Sequence, residues 1–132
     1  MSPEAHAALE SARKRLANAQ AIAGIGIFEV AAREAYLVVL GVAQALLFER
    51  TGRIVKTHSG VRTHVALLAR DDPTLDPSLA VFLARAYDFK EVADYGGTRL
   101  GPITAEEADW AVATAGQLLH HVADRLGDPA RT

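Results

Sequence analysis

The chain has 132 residues, 50% of them apolar and 23% charged, with a formal net charge of −2 and no cysteine. Its length suits one domain that can bury a core without cross-links, and its composition excludes a disordered chain. Without cysteine there are no disulfides or thiolate metal sites, and a reducing cytoplasm is the natural compartment. The slight negative balance excludes a polycation, so affinity for nucleic acid must come from a local patch or an assembled surface.

In chain order, Met1-Ser2-Pro3-Glu4 lacks the basic-then-apolar layout of a signal peptide. Ser2-Pro3 instead reads as a helix start, with a capping hydroxyl and a proline where a missing N–H costs nothing. Leu9, Ala12, Leu16, Ala19 and Ala23 then mark one helical face. Gly24-Ile25-Gly26 ends that helix in a turn. A second helix runs from about Ile27 to Arg50, with the strongly apolar stretch Tyr36–Phe48. That stretch is shorter than the roughly 20 residues a bilayer span needs, so no membrane segment is expected. A helix apolar nearly all round is either central in a bundle or shared with a second subunit, and a homodimer is expected on that ground.

Thr51-Gly52 stops the second helix, and a third begins near Ser59 and fades at Asp71-Asp72-Pro73. Asp76-Pro77 opens a fourth, with Leu79, Phe82, Leu83, Ala86, Phe89 or Lys90, and Ala93 at three-four spacing, ended by Gly96-Gly97. Thr104 to Glu107 is a capping box for a fifth, whose inner face is Ala108, Ala111, Ala115, Leu118, Val122 and Leu126. A short polar tail follows from about residue 127. The expectation is a single all-α domain over 1–132, an up-and-down antiparallel bundle of four to five helices.

Most catalytic signatures are missing. No phosphate-binding glycine loop occurs, and Gly24-Ile25-Gly26 has neither the third glycine nor the preceding strand of a dinucleotide site. His58 and His64 are six apart and His120 and His121 adjacent, so neither pair shares a helical face and no metal is expected. The junction Arg53–Arg62 is different. Thr57 or Ser59 can cap the third helix and leave a positive dipole end beside Arg53, Lys56, His58 and Arg62, a comfortable place for an anion. His58 titrates near neutrality and arginine clamps phosphate with paired bonds, which suits attack of an RNA 2′-hydroxyl on its neighbouring phosphate. Lys90, Asp94 and Tyr95 form a second cluster, in which Asp94 orients His58 or pairs with Arg53 and Tyr95 stacks on a base. The plain alternative is structural: caps, a pinned histidine, solvated arginines and a packed tyrosine. Arg33 and Tyr36 resemble a minor polar seam on the second helix, or more plainly surface charge and core edge, and Trp110 reads as core or interface.

Ala35-Tyr36, Ala43-Gln44-Ala45-Leu46-Leu47, Lys56-Thr57-His58-Ser59-Gly60-Val61 and Ala93-Asp94-Tyr95, in that order, resemble the small prokaryotic HEPN-domain proteins. The resemblance covers roughly residues 8–126. It implies a helical bundle that commonly dimerises, and in many members a metal-independent ribonuclease needing no cofactor, often a toxin encoded beside a nucleotidyltransferase antitoxin. Their signature, an arginine and a histidine with four to six residues between them, is met by Arg53 and His58, which become the catalytic candidates. Lys56, Thr57, Ser59, Arg62, Lys90, Asp94 and Tyr95 become the candidates for holding RNA or nucleotide; no DNA partner is implied. Ile54 stands where active members carry a polar residue, and Lys90 where the R-x-x-A-D-Y pattern has arginine. Those two positions favour the other reading, a non-catalytic module that binds a nucleotide, RNA or a protein partner.

Overall fold

The computed structural model describes residues 1–96, 99 and 101–130 and contains five helices: α1 (Pro3–Gly24), α2 (Phe28–Thr51), α3 (His58–Asp71), α4 (Ser78–Tyr95) and α5 (Ala105–Arg125). Among the described residues there is no strand. Gly97, expected in the stop of the fourth helix, and Arg131 and Thr132 of the polar tail lie outside them.

Local chemistry sets the helix starts. The Ser2 hydroxyl accepts from Ala5 N at 3.1 Å, with Pro3 in the first turn. Thr104 and Glu107 cap each other reciprocally, each accepting a backbone N–H of the other. Asp76 works from one residue further out than expected. Its carboxylate accepts from Ser78 N at 2.9 Å across Pro77, so α4 starts at Ser78.

Helix α2 is the axis of the bundle and packs against all four others, while α5 closes back on α1 and α4, and α3 lies on α2 and α4. This explains the apolar stretch Tyr36–Phe48, of which only Leu37, Gly41, Gln44 and Phe48 escape burial within one chain. Of the two readings of that helix, the central one accounts for nearly all of its apolar surface. By length and composition α2 could cross a membrane, yet 67% of its apolar window is buried against its neighbours, as in a core helix. The stripes expected on the other helices point inward, with Leu9, Ala12 and Ala19 of α1, Leu79, Phe82, Leu83, Ala86 and Phe89 of α4, and Ala108, Ala111, Ala115, Leu118 and Val122 of α5 all buried. Trp110 packs on Phe82 and Phe89, with the Arg85 guanidinium 4.2 Å from its ring.

Candidate functional site

The connection from α2 to α3 is held at both ends by hydrogen bonds. Gly52 adopts φ 71°, a left-handed cap, and its N–H reaches the Phe48 carbonyl at 2.8 Å. The Thr51 hydroxyl donates to Leu47 O at 2.7 Å and accepts from Arg53 N at 3.2 Å. Gln44 of α2 donates to the Val55 carbonyl at 3.1 Å and anchors the strand-like stretch between the helices. Thr57 then caps α3 by accepting from Gly60 N at 3.0 Å. Glycine is required at position 60 because a Cβ there would lie 2.5 Å from Thr57 Oγ1 and 3.0 Å from Val55 Cγ1.

This cap places His58, the first residue of α3, against α2 and α4. Its Nδ1 is 2.6 Å from the hydroxyl of Tyr36, and the two rings stack with centroids 5.6 Å apart. Tyr87 of α4 closes the group, 5.6 Å from His58 and edge-on to Tyr36 at 5.8 Å. Tyr36 is fully buried, and burial pushes its phenol up to about 12. The phenol therefore keeps its proton, and it shares with His58 Nδ1 one hydrogen bond whose direction follows the imidazole tautomer. Desolvation, then the nearby charges of Lys90 and Arg62, hold His58 below the ordinary histidine value. The lowered value favours the uncharged ring at neutral pH.

Two cations lie close to that ring. Arg62, one turn after His58, lays its guanidinium 4.7 Å from the Tyr87 ring centroid and has no carboxylate partner among the described residues. Lys90 Nζ is 3.0 Å from Asp94 Oδ2, and Asp94 also accepts from Arg33 Nε at 2.6 Å. Hydrogen bonds from Lys90 and then Arg33 keep the Asp94 carboxyl below its usual range. Tyr87 is raised, chiefly by its hydrogen bond to Glu91. Tyr95 is 76% exposed, with Lys90 Nζ 5.4 Å from its ring.

The structure thus brings His58, Arg62, Lys90 and Asp94 together and puts Tyr95 at their edge. Asp94 holds Arg33 and Lys90, not His58 or Arg53. Arg53 and Lys56 are exposed on the connection, and no hydrogen bond or ring contact joins either to His58. The Thr57 hydroxyl is occupied by the cap, and Ser59 is exposed in the first turn. Tyr87 and Glu91 are not among the residues the sequence singles out, whereas Arg33 and Tyr36, a minor polar seam in the sequence, both make polar contacts here. A signal was available: Tyr87, Lys90 or Glu91, and Asp94 repeat at three-four spacing beside the apolar stripe of α4.

Compared with known families, the chain matches the HEPN domain over residues 5–125. It is a HEPN-domain protein. The matched segment runs from the first turn of α1 to the last residue of α5. No match to the curated proteins accompanies it. In this HEPN bundle the K-T-H-S-G turn is a cap, a histidine aimed at α2 and a glycine that lets the cap close.

Proposed function

We propose that this HEPN domain binds the phosphate of a nucleotide or of RNA at the rim formed by His58 Nε2–H, Arg62 and Lys90. The reading rests on the Tyr36–His58 hydrogen bond of 2.6 Å which, run from the phenol to Nδ1, makes the free edge of the imidazole a neutral donor beside two cations. Charge-assisted bonds from Arg62 and Lys90 supply most of the affinity. Exposed Tyr95 offers a face on which a base stacks. A proton on Nε2 also prevents that nitrogen from taking one from a 2′-hydroxyl, so binding is favoured over catalysis. The test is thermal unfolding with nucleoside monophosphates and with short RNA. A ligand at a hundred times its Kd stabilises the fold by about 2.7 kcal/mol, and Arg62→Ala cuts that gain by about half or more. No stabilisation of the wild type by any of these ligands would overturn the reading.

RNA cleavage is the second reading, with the chain as the toxin of a pair with a nucleotidyltransferase antitoxin. The lowered histidine value supports it, since a base must be uncharged, as does the Arg53-x4-His58 string. It requires the opposite tautomer, with Tyr36 accepting from Nδ1. RNA cut by the wild type and spared by His58→Ala would establish it, and cutting that survives the substitution would eliminate His58 as catalyst.

A further inference from the structure

Among the described residues, Asp94 is the one carboxylate paired with a cation of the proposed rim. Its Oδ2 lies 3.0 Å from Lys90 Nζ on α4, and its Oδ1 accepts from Arg33 Nε on α2 at 2.6 Å. One acidic group thus bridges two cations with two oxygens, as a phosphate does when it meets a pair of basic side chains. Lys90 and Arg62 lie near the same ring, 6.0 and 4.7 Å from the Tyr87 centroid. A phosphate bound between them meets Asp94 as a like charge and as a rival for Lys90.

The Asp94 contact has the features of one that exchanges. Asp94 stands in the last turn of α4, where the helix dipole opposes a negative charge, and that turn carries no basic residue. Its side chain is 21% exposed, so water receives it when its partners leave. Nor is Arg33 stranded by the exchange, because Glu34 holds it at 3.1 Å and is itself held by Arg15 at 2.7 Å. Asp128, whose side chain has no exposed surface, lacks such a way out. Glu91, the other carboxylate near His58, accepts from the Tyr87 hydroxyl and forms no ion pair among the described residues.

We infer that Asp94 is an autoinhibitory stand-in for the ligand's phosphate, and that Arg33 is a further binding residue, freed for the ligand when Asp94 yields. The inference rests on the phosphate reading and adds how that site is held in check. Two consequences separate it from a structural role. Replacing Asp94 with a neutral residue of the same shape removes the rival, so the ligand binds more tightly although the free protein loses two ion pairs. Salt then matters more. Asp94 is the internal counter-ion of Lys90 and Arg33. Without it, dissolved anions take its place and an incoming phosphate must release them.

The test is calorimetric titration of the wild type, Asp94→Asn and Arg33→Gln with adenosine 5′-monophosphate at a series of potassium chloride concentrations. Asp94→Asn is expected to bind at least about threefold more tightly, matching the strength of two partly exposed ion pairs. Its salt slope is expected to be steeper by about one ion. Arg33→Gln is expected to bind about threefold more weakly or worse. An Asp94→Asn that binds no more tightly, or with an unchanged salt slope, would overturn the inference and leave the phosphate reading standing. An Arg33→Gln of undiminished affinity would do the same. Circular dichroism checks each fold, and should Asp94→Asn fail to fold, the Arg33→Gln comparison decides. No binding by the wild type or by Asp94→Asn at any salt concentration would overturn the phosphate reading itself, and the inference with it.

Discussion

Two clusters in this bundle use the same residue types to opposite ends. At the foot of α1, Asp128 is fully buried and folds the chain after α5 back onto His6 and Arg13. Arg13 reaches its carboxylate at 2.6 Å, His6 lies at 3.3 Å, and Ala130 N donates to it at 3.1 Å. Arg13 also pairs with Glu10, so its charge is spent within the chain. His6, Glu10 and Asp128 come within 4.8 Å of one another, close enough to hold a metal ion, but the guanidinium already supplies positive charge there. At the α2–α3–α4 junction, histidine, arginine and carboxylate meet again, but Arg62 and His58 Nε2 have no carboxylate or hydrogen-bond partner among the described residues. A histidine–arginine–carboxylate cluster is structural when its bonds close on themselves and a ligand site when donors are left over.

The contrast predicts different failures. Asp128→Ala leaves Arg13 with Glu10 alone and removes a buried charge-assisted bond, which should cost about 1.5–3 kcal/mol of stability, read by chemical denaturation, with phosphate binding by the folded fraction unchanged. Arg62→Ala should do the reverse, weakening nucleotide binding tenfold or more through a lost charge-assisted bond of about 1.5–3 kcal/mol, while the unfolding midpoint of the free protein moves little. Calorimetric titration checks it, and equal affinity of variant and wild type would erase the distinction between the clusters.

Tyr36→Phe tests the support beneath the site. It removes the Tyr36–His58 hydrogen bond and should cost about 1 kcal/mol, with the His58 titration moving back up where the phenol is the donor to the neutral ring. The smallest effect is the pH response. His58 is depressed in the folded chain, so the unfolded chain takes up its proton first and stability falls as pH drops below 6.5. That slope should be reduced in His58→Gln, measured by denaturation at a series of pH values.

What could be read from the sequence was mostly local. Ser2-Pro3, Thr57, Asp76 and the Thr104–Glu107 box are contacts within four residues, so letters alone disclose them. The apolar stripes follow because burial repeats with the helix. The site was legible in part. His58 and Arg62 are four apart on one helix and necessarily share a face, whereas Arg53 precedes His58 along non-helical chain that extends up to about 16 Å. An arginine–histidine spacing in the sequence carries different geometry on either side of a helix start. Tyr36 was hidden for another reason. It lies inside the most apolar stretch of the chain, and only the tertiary placement of His58 above it gives its hydroxyl a purpose. Asp94 meeting Arg33 required two helices whose register no local pattern discloses.

Phosphate binding at this site depends on which imidazole nitrogen of His58 carries the proton. Long-range proton–nitrogen NMR of the histidine rings, with and without a nucleoside monophosphate, measures both at once. The expected spectrum at neutral pH shows His58 with an unprotonated Nδ1 and a protonated Nε2, and the Nε2–H resonance moves when the ligand is added. A His58 protonated at Nδ1, or one whose resonances ignore the ligand, would contradict it.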